Sequence, residues 1–339
     1  MKAVGYFQSH AIDHRDALLD IDLPEPVAHG RDLLVEVHAI SVNPVDTKIR
    51  VWVAPEAGVA KVLGWDAAGI VLAVGEQVTL FKPGDRVMYA GSLLRPGTNS
   101  ERHLVDERIV GHAPASIDLE AAAALPLTSI TAWEMLFERL QIPQSDDGAA
   151  KSGTLLIVGA AGGVGSIMLQ LARQLTNWTI IATASRPETQ QWVLDLGAHH
   201  VIDHRQPLST ELQRIGIAQV DCVAGLTHTD QHLAQIVACL APQGKLALID
   251  DPEALDVKLL KTKSISLHWE LMFTRSMFET PDMIEQHKLL ERVAQLIDDG
   301  VLRSTVTERF GAINAANLRR AHALLESGTA RGKIVLSGF

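Results

Sequence analysis

Apolar and polar positions alternate along the first third of the chain. LLVEVHAISV (33–42) has period two, and AAGIVLAVG (67–75) and DRVMYAG (85–91) follow it, with turn residues at VGEQV and FKPGD. Alternation bounded by Gly, Pro and Asp predicts strands and hairpins. Helical periodicity is scarce before residue 120. From about Ile130 short apolar runs alternate with segments whose apolar residues recur every three or four positions. The predicted strands are TLLIVG (154–159), TIIATA (179–184), HVID (200–203), VDCVAG (220–225), KLALID (245–250) and SISLHW (264–269). Helices are expected between them at GSIMLQLARQL, ETQQWVLDLG, STELQRIG and DQHLAQIVACL. Two more are expected at about Asp282–Asp299 and Ala315–Ser327, each stopped by glycine, before a last strand in GKIVLSGF.

Strands alternating with helices make a parallel, doubly wound sheet, because right-handed crossovers place helices on both faces. The β-rich beginning and the mixed tail are each too irregular for a comfortable core, so the simplest α/β architecture folds them together with the six-stranded unit inserted. QSDDGAAKSG (144–153) reads as a polar surface loop, and there is no internal repeat or charge run. Length supports two domains, since 339 residues exceed the usual domain of about 100–200. Thirty Lys and Arg against forty Asp and Glu leave a net charge of −10 without a basic cluster, which disfavours nucleic acid. No apolar window is long enough to span a membrane, and the opening residues lack a secretory or transit pattern, so the cytosol is the expected compartment. The two cysteines, Cys222 and Cys239, sit in apolar segments and read as buried thiols.

The strongest chemical signal is Gly159-Ala-Ala-Gly162-Gly163-Val164-Gly165, directly after one predicted strand and directly before a helix. Glycines in a strand-to-helix turn let the backbone approach a pyrophosphate, which the helix N-terminus then receives. A nicotinamide dinucleotide is the expected ligand. In an NAD site an acid lies about 20 residues past the glycines. Here Ser185 and Arg186 stand there, and a hydroxyl with a guanidinium suits a 2′-phosphate, so NADPH is favoured; the other reading makes Arg186 a solvated residue and gives Glu188 to a ribose. His204, at the end of the third predicted strand, either faces the adenosine phosphate or is a surface histidine.

The blocks SVNPVDTKIR (41–50), LGWDAAGIVLAVG (63–75), FKPGDRV (81–87), PLTSITAWEML (126–136), the GAAGGVG turn and the terminal GKIVL resemble, in order and nearly end to end, the medium-chain dehydrogenase/reductases. Within them the chain is similar to the zinc-independent quinone oxidoreductase and zeta-crystallin branch, and RPGTNSERHLVDERIVGHAP and SLHWELMFTRSMF are similar to a subgroup labelled zinc-type alcohol dehydrogenase-like. The resemblance implies a GroES-like β-rich catalytic domain at 1–126 and 273–339 and a Rossmann cofactor domain at 127–272. The zinc members carry a Cys in the block matching SVNPVD, a His-Glu pair after the glycine of LGWDAAG, and a four-cysteine lobe past KPGDRV. This chain has Asn43-Pro-Val-Asp46 and Trp65-Asp66 instead, and no such lobe, so no metal site is expected. Without a Lewis acid, hydride transfer to quinones or α,β-unsaturated carbonyls, the electron acceptors, becomes the expected chemistry. A nucleotide-binding protein with little catalysis is the rival reading, and a zinc alcohol dehydrogenase a third.

The resemblance places Asn43 and Asp46 beside the nicotinamide, where an amide could donate to an oxyanion; Asn-Pro and Asp-Thr also favour turns and caps. Lys48 stands where related reductases often carry Tyr, and is either a proton donor or a surface lysine. Tyr89 is either a phenolic donor or core. Thr128, Phe273, Arg275 and Lys333 match positions at the nicotinamide end of the cofactor; Phe273, with its apolar neighbours, reads equally as a hinge or dimer contact. In the family the edge strand near 264–269 pairs across a two-fold axis, so a homodimer is expected.

Overall fold

A computed structural model describes residues 1–145 and 152–339, so most of the polar segment 144–153 lies outside the described residues. The chain forms two compact units, Met1–Ile130 with Met272–Phe339, and Thr131–Leu271.

In the first unit the strand Asp32–Val42 is central. One edge pairs antiparallel with Ala67–Val74, and the other is shared by Arg102–Asp106, opposite Asp32–Glu36, and Lys333–Ser337, opposite Ala39–Val42. The sheet continues through Arg86–Tyr89 and Val110–His112. Leu33, Val35 and Val37 are buried between the exposed Glu36 and His38, as period two requires. Past Ala39 the alternation ends, because Ile40, Ser41 and Val42 are all buried. The register there places Val42 opposite Ile334 and Ile40 opposite Ala67. Residues 43, 66 and 333 therefore sit together at one end of three adjacent strands.

A helix, Pro44–Trp52, occupies part of the stretch read as poor in helix. Asn43 is extended, Pro44 takes the first helical position, and Asp46 Oδ2 accepts from Asn43 N at 2.6 Å, so the turn is capped. The apolar period missed it because the helix buries Asp46, Thr47 and Arg50 and exposes Val51 and Trp52.

In the second unit the strands are β1 Thr154–Val158, β2 Thr179–Thr183, β3 His200–Ile202, β4 Val220–Gly225, β5 Leu240–Leu248 and β6 Ser266–Trp269. All pair in parallel, in the order β3-β2-β1-β4-β5-β6. The helices are α1 Gly163–Leu175, α2 Pro187–Asp195, α3 Leu208–Arg214 and α4 Thr229–Cys239. The order reverses at β1, so β1 and β4 diverge in connectivity and leave the crevice where such sheets bind ligands. Leu156, Val158, Ile181, Val223, Leu246 and Leu248 pack one core beneath it. Cys222 and Cys239 are buried free thiols. β6 is the sheet edge, with Trp269 exposed. Among the described residues no helix is long and apolar enough to cross a membrane.

The helix Glu285–Asp298 is tied to strand Val110–His112 through Glu291, which accepts from the His112 backbone N (2.7 Å) and pairs with its Nδ1 (2.8 Å). The hydrogen bond to Glu291 holds the half-exposed His112 above its ordinary value; Glu291 lies below its own, His112 outweighing burial. A raised imidazole stabilises below its unfolded pKa and stops doing so as pH rises through the folded value; a lowered carboxyl stabilises above its unfolded pKa and stops as pH falls. Glu291→Gln should therefore lower the unfolding free energy most near about pH 6 and less near about pH 8.5. Denaturant unfolding at both pH values checks this, and an equal loss at each would refute the ion pair's part.

Candidate functional site

In the first unit the end of the central strand carries a buried charge cluster. Asp66 is fully buried, yet each carboxylate oxygen is answered. Oδ1 accepts from Leu127 N at 2.8 Å, and Oδ2 accepts from Asn43 Nδ2 and Lys333 Nζ, both at 2.9 Å. Lys333 Nζ also donates to Val42 O at 3.3 Å and to Asn43 Oδ1, so its three hydrogens meet three acceptors. The second hydrogen of the Asn43 amide goes to Ser41 O at 3.2 Å. Burial pushes the Asp66 carboxyl up against the pull of Lys333, Asn43 and Leu127.

Asp46, beside this cluster, is differently placed. Oδ2 caps the helix through Asn43 N, while Oδ1 is buried with no hydrogen-bond partner. Burial pushes its carboxyl up to about 7; the backbone N–H of Asn43, Lys333 and the backbone N–H of Gly64 oppose this, and Asp66 adds to it. One ammonium serves two carboxyls, and Asp66 holds it by a direct bond.

Lys48 lies half-buried in the helix Pro44–Trp52. Tyr89 is buried and stacks on His103 with centroids 5.5 Å apart; its hydroxyl is without a partner, and burial raises its pKa. Thr128, in the helix Pro126–Trp133, donates its hydroxyl to the turn just before that helix, to Leu125 O (3.3 Å) or Ala124 O (3.4 Å). Phe273 is buried edge-on against Trp65, and Arg275 binds Asp282 through Nε and Nη2. Asp66 was missed as a functional residue, although a lone acid in the apolar run LGWDAAGIVL was a signal.

The second unit carries the glycine turn between β1 and α1, and its glycines do different work. Gly159 has φ +84°, and a Cβ there would stand 2.8 Å from Thr227 Cγ2; its N–H donates to Thr183 Oγ1 at 3.1 Å. At Gly165 a Cβ would meet Ala160 O at 2.4 Å, so this residue lets helix and turn pack closely. Gly162 precedes α1, whose first turn has no side-chain cap, and a Cβ there would meet nothing nearer than Gly159 O at 3.6 Å. Gly163 and Val164 begin α1 and are partly exposed. The turn leaves N–H groups and open space, the fit a pyrophosphate needs. α4 differs, because Asp250 accepts from both Thr229 N and Thr229 Oγ1 at 2.7 Å.

Ser185 and Arg186 follow β2 and are partly exposed; Arg186 Nε lies 3.4 Å from Glu188 Oε1. His204 follows β3. Arg205, missed in the sequence, donates from Nη2 to Ser185 O at 3.0 Å while Asp203 holds the same guanidinium, so the ends of β2 and β3 are linked. Its signal was the acid two residues before it in IDHR.

The family model of a zinc-binding dehydrogenase matches residues 196–336, and that of an alcohol dehydrogenase GroES-like domain matches 29–115. A zinc-type alcohol dehydrogenase-like protein of Staphylococcus aureus (strain MSSA476) is 39% identical over 339 residues, 99% of this chain and 100% of its own. Among solved structures, a candidate zinc-dependent alcohol dehydrogenase protein of Rhizobium etli CFN 42 is 58% identical with a TM-score of 0.96, covering 100% of this chain and 98% of that one. Escherichia coli quinone oxidoreductase complexed with NADPH is 26% identical with a TM-score of 0.85, covering 99% and 100%.

The zinc in these descriptions does not fit the residues present. Zinc needs three or four convergent protein ligands with lone pairs to give. At the strand end the cation is already an ammonium, Lys333 Nζ, and Asp66 accepts from three donors. Among the described residues no group of three His, Cys, Asp or Glu side chains converges.

Two outcomes follow from the cluster. Lys333→Met should cost roughly 3–5 kcal/mol of unfolding free energy, because it leaves Asp66 buried without its cation; a loss below about 1 kcal/mol in denaturant titration would refute the pairing. A carboxyl whose folded pKa is raised opposes folding once pH exceeds its unfolded pKa, so stability falls until pH passes the folded value. Asp46→Asn should therefore gain stability relative to the parent between about pH 4 and pH 7, with a ceiling of about 4 kcal/mol. A difference that stays flat over that range would show that Asp46 does not titrate there.

Proposed function

Because the chain belongs to the medium-chain dehydrogenase/reductase superfamily of oxidoreductases, we propose that it is a zinc-free reductase that uses NADPH to reduce quinones or α,β-unsaturated carbonyls. The observation that carries this reading is the saturated Lys333 ammonium on Asp66, a fixed monovalent cation beside Asn43, Trp65 and Asp66, which stand in the blocks that resemble those holding zinc ligands in the zinc enzymes. Alcohol oxidation at neutral pH needs a metal or base to hold the alcoholate. An electron-poor acceptor needs only a hydride and a proton.

The nucleotide reading is supported by the open turn at Gly159, Gly162, Gly163, Val164 and Gly165. These residues would hold the pyrophosphate, with the uncapped first turn of α1 facing its charge. Ser185, Arg186 and His204 would hold the adenosine end, where no carboxylate ends β2 to repel a 2′-phosphate. Bound there, a reduced nicotinamide supplies hydride. Thr128, Phe273 and Arg275, which the resemblance assigns to the ring end of the cofactor, are buried within the first unit. Lys333 is better explained as the internal cation of the Asp66 cluster than as a phosphate ligand, because its three hydrogens are taken.

Asp46 is the group of the first unit's cluster suited to hold a proton at neutral pH, since its carboxyl is pushed up to about 7 and Oδ1 has no partner. Asn43 positions it through its own backbone N–H and has no amide hydrogen left for an oxyanion. Lys48 and Tyr89 are the alternative proton donors. The exposed edge at β6, with Trp269, supports pairing with a second copy of the chain.

Steady-state oxidation of NADPH and NADH with a panel of quinones and enones, alongside metal analysis of the purified protein, tests the reading. The expected result is turnover with at least one acceptor, NADPH preferred, and zinc far below one equivalent. NADPH binding without turnover of any acceptor would favour a binding protein, and stoichiometric zinc would overturn the proposal.

A further inference from the structure

We propose that His204, His228 and His232, gathered from the ends of β3 and β4 and the first turn of α4, are specificity-determining residues of the nucleotide site that take up a proton when a nucleotide's phosphate monoester binds beside them. This rests on the nucleotide reading above and names the end of the ligand that these side chains would read.

Four contacts bring the pieces together. The turn after β4 lies against the glycine turn, since a Cβ on Gly159 would stand 2.8 Å from Thr227 Cγ2. His228 is the next residue, with left-handed backbone (φ +52°) and Nδ1 2.6 Å from Thr227 Oγ1. His232 lies one turn into α4 and meets His204 edge-on, with ring centroids 6.2 Å apart at 76°. Arg205, adjacent to His204, reaches Ser185 O at the end of β2. The imidazoles thus border both the turn that would hold the pyrophosphate and the strand end that would hold the adenosine ribose. His232 Nδ1 is buried with no hydrogen-bond partner, a polar atom this unit does not answer.

The charges around them favour the neutral form until an anion arrives. Burial is the largest influence on His204, holding it below its ordinary value; Arg205 and His228 act in the same direction and Asp203 against it. His232 is held down by burial, then by His204 and His228, with Asp230 opposing. Three acids on the facing elements are engaged. Asp203 holds Arg205, Glu211 of α3 accepts from Asp203 N and pairs with Arg214, and Asp250 caps α4. A phosphate monoester carries close to two negative charges above about pH 6. Set among imidazoles, it supplies the charge that Asp203 and Asp230 supply incompletely, and it raises their affinity for a proton. Proton uptake on binding means that affinity falls as pH rises, and only for the nucleotide that carries the extra phosphate.

Calorimetric titration of the full-length protein with NADPH and with NADH, between about pH 6.5 and pH 8.5 in two buffers of different ionisation enthalpy, tests this. The expected result is an NADPH Kd that weakens up to about tenfold per pH unit over part of the range, with up to one proton taken up, while the NADH Kd changes much less. The double variant His204→Asn with His232→Gln should lose most of that slope, and the ratio of the two Kd values cancels any loss common to both nucleotides. Equal pH slopes for NADPH and NADH, or an unchanged NADPH slope in a double variant with the parent's circular-dichroism spectrum, would overturn the inference. If neither nucleotide binds the parent protein at any pH, it is the nucleotide reading itself that fails, and this inference with it.

Discussion

The bond between Lys333 and Asp66 is the constraint on which the first unit's chemistry depends. A carboxylate buried among apolar strands is costly unless each oxygen has donors, and Asp66 finds them in three separate parts of the chain: Leu127, Asn43 and Lys333. The ammonium in turn needs three acceptors, which Val42, Asn43 and Asp66 supply. Neither charge tolerates loss of the other. The last strand is thereby locked beside the central one, and the first turn of the helix Pro126–Trp133 is fixed through Leu127 N. The cation at Asp66 is an ammonium whose three hydrogens are taken, a donor set that does not fit a divalent metal.

That commitment shapes what is left for catalysis. With Lys333 bound to Asp66, the neighbouring Asp46 must bear its burial with help mainly from a backbone amide, and its carboxyl titrates near neutrality. A group that gains and loses its proton there is suited to proton transfer in an oxidoreductase. The second unit divides its labour similarly. Gly159 and Gly165 satisfy the fold by a positive φ and a close approach, whereas Gly162 leaves space that nothing in the unit fills. The uncapped α1 beside the capped α4 carries the same distinction.

Two kinds of information in the chain were readable without a structure. Repeating local patterns were one. The six parallel strands and their helices follow from period and punctuation, because each element's burial is decided by its own neighbours in sequence. Glycines between a strand and a helix were another, since backbone freedom is a property of the residue. The helix Pro44–Trp52 escaped because it buries Asp46, Thr47 and Arg50, so its inward face is polar and the apolar period is absent.

The sequence by itself determined the alternation of strand and helix in the second unit, the glycine turn, and the absence of the cysteines and His-Glu pair of the zinc enzymes. Only the tertiary structure decided what Asn43, Asp66 and Lys333 do. They stand up to 290 positions apart and meet because Val42 pairs with Ile334 and Ile40 with Ala67. The grouping of His204 with His228 and His232 is of the same kind, set by where β3 and β4 end and how α4 leaves the sheet. A buried charge is defined by its partners, and partners joined through strand register leave no local trace in the chain.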